Sequence, residues 1–210
     1  MNITVIGSGN MGSSFVKRLT LAGHQVSVTA RNLDKATAVA AANPGATAVA
    51  LAGAAAHADV VVLATAFDDA ITALKSVGDL RGKVMIDITN PLTADYMGLS
   101  IGHTTSAGEE IARAIPAARV VKAFNTVFAQ VLAEGGDFGH GHTVPVYFAG
   151  DDAAAKETVS TLIESVGFAP VDAGPLKNAR YLEAVAGLNI YFGYGAGMGT
   201  SIAPFWIQRA

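Results

Sequence analysis

The chain has 210 residues, of which 51% are hydrophobic and only 15% charged, with a formal net charge of −3. That length suffices for one α/β domain or one with a small appendage, so apolar a chain must bury much of itself, and the charge balance carries no footprint of nucleic-acid binding. Cysteine is absent, which excludes disulfides, thiolate catalysis and thiolate metal sites.

Met1 is followed at once by an apolar strand at 3–6, with no basic region or cleavable segment before it, so a cytoplasmic location is expected. The strand breaks at Gly7, and Gly7, Gly9 and Gly12 space out as G-x-G-x-x-G. Gly7 lets the chain turn, Gly9 lets a pyrophosphate approach the backbone, and Gly12 lets the next helix pack closely. That helix, predicted over 10–22, aims its first N–H groups at the anion. A lone glycine motif is weak. Here it leaves a strand and opens a helix, which is the context a dinucleotide site requires.

The second strand, 25–29, ends in Ala30-Arg31-Asn32. A site for the unphosphorylated dinucleotide places Asp or Glu near this point to bind the ribose 2′-hydroxyl. No carboxylate appears until Asp34. Arg31 is suited to a 2′-phosphate and to stacking on adenine, with Thr29 or Asn32 as a further donor and Lys35 as a second charge. The expected cofactor is therefore NADP(H).

Helix and strand then alternate: a helix over 33–42, a short strand at 47–50, and an alanine-rich helix to about 57. A fully apolar strand at 59–64 precedes a helix at 67–77 and a strand at 83–88. A polar loop at 89–104, a helix at 106–115 and a strand at 119–124 follow. This is the βαβ alternation of a Rossmann-like, doubly wound parallel sheet. A glycine-rich linker at 135–143 separates it from a strand at 144–149, a helix at 152–166, a strand at 169–172 and a last helix from about 178. We read 1–143 as the NADP-binding Rossmann domain and 144–210 as a small C-terminal α/β extension packed on it.

In open α/β sheets ligands lie beyond the carboxyl ends of the strands. The fourth strand delivers Ala64-Thr65-Ala66, small residues a cofactor can lie across. The fifth and sixth strands each deliver an amide, Asn90 before Pro91, and Asn125 before Val127 and Ala129. Two amides at adjacent strand ends suit ribose hydroxyls or a nicotinamide carboxamide. No catalytic acid–base dyad stands out. Lys122, inside a strand, is expected to form a buried pair, for example with Asp87. His140-Gly-His142 has no third ligand at a recognisable spacing, so no metal is expected. Segment 184–207 carries no charge and is long enough for a membrane span. Its glycines at 187, 193, 195, 197 and 199 make a poor isolated helix. A buried helix, a dimer contact or a ligand-facing loop is preferred to a membrane span.

GSGNMG, the Ala30-Arg31 strand end, ITNPL (88–92), VVKAFNT (120–126), VPVYFAGDDAAAK (144–156) and VDAGPLKNARYLE (171–183) resemble the NADPH-dependent coenzyme F-420 reductase family. They also resemble the related oxidoreductase domain of six-transmembrane ferric reductases. The resemblance implies a Rossmann domain with a C-terminal extension, often paired as a homodimer. It implies hydride transfer between NADP(H) and a deazaflavin, coenzyme F-420, or a flavin such as FMN or FAD. By motif, Ser8, Gly9, Asn10 and Met11 would wrap the pyrophosphate, and Ala30, Arg31 and Lys35 the 2′-phosphate end. Thr65, Ala66 and Ala70 would line the adenosine path, and Asn90, Pro91, Val127 and Ala129 would surround the nicotinamide. The archaeal deazaflavin reductases carry His where this chain has Asn125, whereas the ferric-reductase branch carries Asn, which keeps a flavin acceptor open. Two alternatives stand beside this reading: reduction of a small imine or carbonyl by the same cofactor, and a non-catalytic NADP-binding redox sensor.

Overall fold

The structure, a computed structural model, describes residues 1–207 and 209. Among them eight strands form one sheet in the order β3-β2-β1-β4-β5-β6-β7-β8. The strands are β1 (Asn2–Ile6), β2 (Gln25–Thr29), β3 (Ala46–Ala48), β4 (Val60–Leu63), β5 (Val84–Asp87), β6 (Arg119–Ala123), β7 (Pro145–Gly150) and β8 (Ala169–Asp172). The helices are α1 (Asn10–Leu21), α2 (Leu33–Ala41), α3 (Phe67–Ser76), α4 (Ala107–Ala114), α5 (Ala129–Glu134), α6 (Ala153–Ser165) and α7 (Ala179–Ile190).

The strands are rich in β-branched residues whose side chains alternate between two covered faces. Ile3, Val5, Val60, Val62, Val84 and Ile86 pack on one face with Phe15, Val16 and Leu19 of α1. Ile6, Val61, Leu63 and Met85 pack on the other with Leu74 of α3 and Ile111 of α4. Burial on both faces accounts for the high apolar fraction. From β3 to β6 all pairs are parallel, and β7 joins antiparallel to β6 before β8 pairs parallel to β7. The doubly wound sheet expected from the alternation is present, and the C-terminal strands extend that same sheet. The strand order reverses between β1 and β4, the switch point at which such sheets open a crevice.

Two local expectations differ from the structure. The alanine-rich stretch at 51–57 forms turns instead of a helix. Gly53 takes a positive φ of 78°. The carbonyls of Ala54, Ala56 and Ala58 are taken by Thr4 and Lys83 instead of by amides one turn on. Helix α5 was not expected; it packs on α1, where the Ser14 hydroxyl donates to the Ala129 carbonyl at 2.9 Å, and Gly135, at φ 107°, ends it.

After α7 the glycine-rich segment continues as one wide turn, Tyr191–Gly195. A Cβ on Gly193 would stand 2.6 Å from the ring of Phe128, so only glycine lets that ring pack there. No described helix is long and apolar enough to cross a membrane.

Candidate functional site

The turn after β1 is built as the motif requires. Gly7 sits at φ 123°, and a Cβ on it would meet the Ala64 carbonyl oxygen at 2.2 Å. A Cβ on Gly12 would meet the Gly7 oxygen at 2.1 Å, so α1 is drawn tightly against the turn. Gly9 is different: no described atom lies within 4 Å of its ideal Cβ. It caps α1, no described side chain satisfies the free N–H groups there, and the first turn holds no acid. These are the features of an anion cradle at a helix N-terminus.

A cavity opens on each side of this cradle. The first, of about 450 Å³, is lined by Gly7, Ser8, Gly9, Ala30, Arg31, Asn32, Lys35, Ala64, Thr65 and Ala66, as expected from the strand ends. Its far wall is a stripe of α3, Asp69, Thr72, Ala73 and Ser76. Those residues follow the i, i+3, i+4, i+7 period of one helix face. Ala70 therefore corrects the expectation: it turns the other way, is wholly buried and packs with Leu74 and Val77. Thr29 is also wholly buried and does not line the cavity. Asn32 spends its side chain on capping α2, accepting from the Lys35 N–H at 3.2 Å.

Arg31 reaches across the mouth of this cavity. Its guanidinium donates to both Asp69 oxygens, at 3.2 and 3.1 Å. The Arg31 side chain is 81% exposed, so this ion pair is weak and free to exchange for another anion. Asp69 was not foreseen, because nothing in the local sequence says which face of α3 meets β2.

The second cavity, of about 480 Å³, is lined by Asn10, Met11, Asn90, Asn125, Val127 and Ala129, with Tyr96, Met97, Asn189, Ile190 and Tyr194 closing it. Here the two strand-end amides meet. Asn90 Nδ2 donates to the Asn125 carbonyl at 2.9 Å, and Asn125 Nδ2 donates to Asn90 Oδ1 at 3.0 Å. Flipping the Asn125 amide alone would set two oxygens against each other, so the network fixes its orientation. Asn125 is 6% exposed, and its Oδ1 finds no partner among the described residues. Such an orphan costs about 1–3 kcal/mol unless a ligand donor meets it. Phe124, just before it, is buried at φ 61°, an uncommon conformation for a bulky residue. Its ring packs edge-on to Phe15 at 4.9 Å. The core thus holds the strained backbone that turns Asn125 toward Asn90.

Pro91 is the second correction. It is buried beside the cavity and not in its wall, and its carbonyl accepts from the Ser100 N–H at 2.7 Å, anchoring the loop that carries Tyr96 and Met97. The C-terminal segment supplies Asn189 and Tyr194, and Tyr194 packs edge-on to Phe128 at 5.7 Å. His140 and His142 sit on an exposed turn, and among the described residues no three His, Cys, Asp or Glu converge as metal ligands.

The expected Lys122–Asp87 pair is present, at 2.8 Å, with both side chains wholly buried. Glu183 of α7 joins it, its carboxylate also 2.8 Å from the Lys122 ammonium.

Residues 2–91 match the family described as "NADP oxidoreductase coenzyme F420-dependent". The chain is 32% identical to an F420-dependent NADP reductase of Methanothermobacter thermautotrophicus, over 90% of this chain and 88% of that protein. It is 33% identical to the rat metalloreductase STEAP3 over 87% of this chain, but spans only 36% of that protein's length. Among solved structures, a putative F420-dependent NADP reductase from Arthrobacter superimposes with a TM-score of 0.86 at 32% identity, covering 99% of each chain. With a glycine cradle between two cavities and a likeness to F420-dependent NADP reductases running along nearly its whole length, the chain belongs to the family described as NADP oxidoreductase, coenzyme F420-dependent.

Proposed function

We propose that the protein transfers hydride between NADPH and a flat redox ring, a deazaflavin (coenzyme F-420) or a flavin, seated in the second cavity. The observation that carries this reading is the pair of cavities meeting at the N-terminus of α1, one edged by Arg31 and Lys35 and the other floored by the Asn90–Asn125 amide pair. The residues fit the cofactor. The space at Gly9 admits a pyrophosphate, and the orphan Asn125 Oδ1 lacks the N–H that a carboxamide carries.

When bound, the dihydronicotinamide supplies the hydride. The chain's own part is to bind, orient and exclude water. The first-turn N–H groups of α1 hold the pyrophosphate, and Arg31, released from Asp69, holds the 2′-phosphate with Lys35. Asn90 and Asn125 orient the carboxamide, while Met11, Val127 and Ala129 set its depth. Tyr96, Met97, Ile190 and Tyr194 leave an apolar slot for the acceptor ring. No His, Lys or Glu lines this cavity among the described residues, and its one carboxylate, Asp95, is engaged by the Thr93 hydroxyl and the Met97 N–H, which suits a reaction whose chemistry resides in two ring systems aligned by the protein. The apolar slot and the free Asn125 Oδ1 keep flavins beside the deazaflavin as acceptors.

The test mixes NADPH with coenzyme F-420, FMN and FAD and follows loss of the reduced nicotinamide absorbance. Oxidation with at least one is expected. Tight NADPH binding with no oxidation by any of them would sink the proposal and favour a redox sensor.

A further inference from the structure

Lys122 is wholly buried, and its ammonium, a cation with three N–H donors, meets three oxygens within the protein. It donates to Asp87 Oδ2 at 2.8 Å and to the Thr89 carbonyl, and Glu183 Oε1 lies 2.8 Å away as an ion-pair partner. Asp87 stands directly opposite Lys122 in the β5–β6 register. Its second oxygen accepts the Thr89 N–H at 2.8 Å. Thr89 is therefore gripped at both its N–H and its carbonyl, and Asn90 is the next residue.

Glu183 ties in the other side. Its oxygens accept the N–H groups of Ala107 and Gly108 at 3.0 and 3.2 Å, in the first turn of α4. The positive end of that helix offsets the surplus carboxylate charge. From Glu183, α7 runs on to Ala186, Asn189 and Ile190, three residues of the second cavity's wall. Asn189 in turn donates to the Thr126 carbonyl at 3.1 Å. One ammonium thus joins the floor of the cavity, at Asn90, to its wall, on α7.

A buried ion network is a weak source of stability, because desolvation offsets most of the attraction and apolar residues of equal volume do as well. What a compact cation with two directed hydrogen bonds and a close ion pair does, and a leucine cannot, is fix the end of β5, β6 and α7 at defined separations. We propose that Lys122 is a positioning residue. It sets the Asn90 amide and the α7 wall at the spacing the nicotinamide half of the cofactor and the acceptor ring require, while leaving the adenosine half untouched. This rests on the reading that the nicotinamide lies over Asn90.

The experiment compares wild type, Lys122→Met and Glu183→Gln. NADPH and the adenosine-end fragment 2′,5′-ADP are titrated side by side, and turnover is measured with the acceptor panel. For Lys122→Met the 2′,5′-ADP affinity should stay within twofold, NADPH should bind at least tenfold more weakly, and kcat should fall at least tenfold. Its primary isotope effect with 4-deuterated NADPH should rise as hydride transfer becomes limiting. Should Lys122→Met not fold, Glu183→Gln, which keeps the side-chain shape, carries the test; at least a threefold loss in NADPH affinity is expected there, again with 2′,5′-ADP unmoved. A folded variant whose NADPH affinity, kcat and isotope effect match wild type overturns the proposal, as does an equal loss of 2′,5′-ADP and NADPH. If wild type oxidises NADPH with no acceptor, the proposed function fails, and the NADPH to 2′,5′-ADP ratio still decides the role of Lys122.

Discussion

Gly9→Ala separates a glycine kept for a ligand from glycines kept for packing. Gly9 has φ −78° and ψ −170°, a conformation open to any residue. Its added methyl would meet no described atom within 4 Å. Two small terms bear on stability. The stiffer unfolded chain favours Ala by about 0.4–1 kcal/mol, and Ala is a poorer N-cap by a similar amount. The net change should lie within about 1 kcal/mol. Binding should respond far more, because the methyl stands where the pyrophosphate approaches the first-turn N–H groups. Loss of one charged hydrogen bond costs about 1.5–3 kcal/mol, or roughly a tenfold to hundredfold weaker NADPH complex. Gly12→Ala should do the reverse, since its Cβ would lie 2.1 Å from the Gly7 carbonyl oxygen and neither backbone can give. Overpacking of that kind costs about 1–3 kcal/mol or more in stability. Thermal melts and NADPH fluorescence titrations on the two variants decide the matter. Unchanged NADPH affinity in Gly9→Ala would refute the cradle, and a melting point as depressed as that of Gly12→Ala would refute the claim that Gly9 is free of packing.

Arg31→Asp should weaken NADPH binding at least about tenfold, or 1.4 kcal/mol, while NADH binding changes little. Equal losses for both, in titrations at one ionic strength, would take the 2′-phosphate away from Arg31. Acid sensitivity should trace in part to Glu109, whose carboxyl is held below the usual glutamate range by hydrogen bonds from Arg180 and, less strongly, from Ser106. Because the unfolded chain takes up this proton at a higher pH, the contribution is present above the ordinary glutamate value and is lost as pH falls through the folded one. It amounts to about 1 kcal/mol for a pair that keeps partial contact with solvent. Thermal midpoints of Arg180→Met should therefore fall less steeply on acidification than those of wild type, and parallel curves would count against this assignment.

Much of the fold was legible because its signals are local. A strand that must be apolar on both faces shows as an unbroken run, as at 60–63, and a glycine that must turn sharply stands where the run stops. Much of the first cavity's lining was readable for the same reason, since Gly7 to Gly9 and Ala30 to Asn32 with Lys35 each lie within one loop and the helix start after it. Asn90 and Asn125 were legible as strand-end residues once the sheet was recognised, although their mutual hydrogen bonds were not.

What the amino-acid sequence determined by itself was the succession of the eight strands, the glycine turn and the cation that follows β2. These depend on neighbours a few residues apart. Only the tertiary structure decided that α3 presents Asp69 and hides Ala70, that Ala54 and Ala56 give their carbonyls to Thr4 and Lys83, and that Glu183 reaches Lys122 from 61 residues away. Such choices turn on how each helix rotates about its axis as the two faces of the sheet are covered. That rotation is set by packing between distant segments, and no short stretch of sequence encodes it.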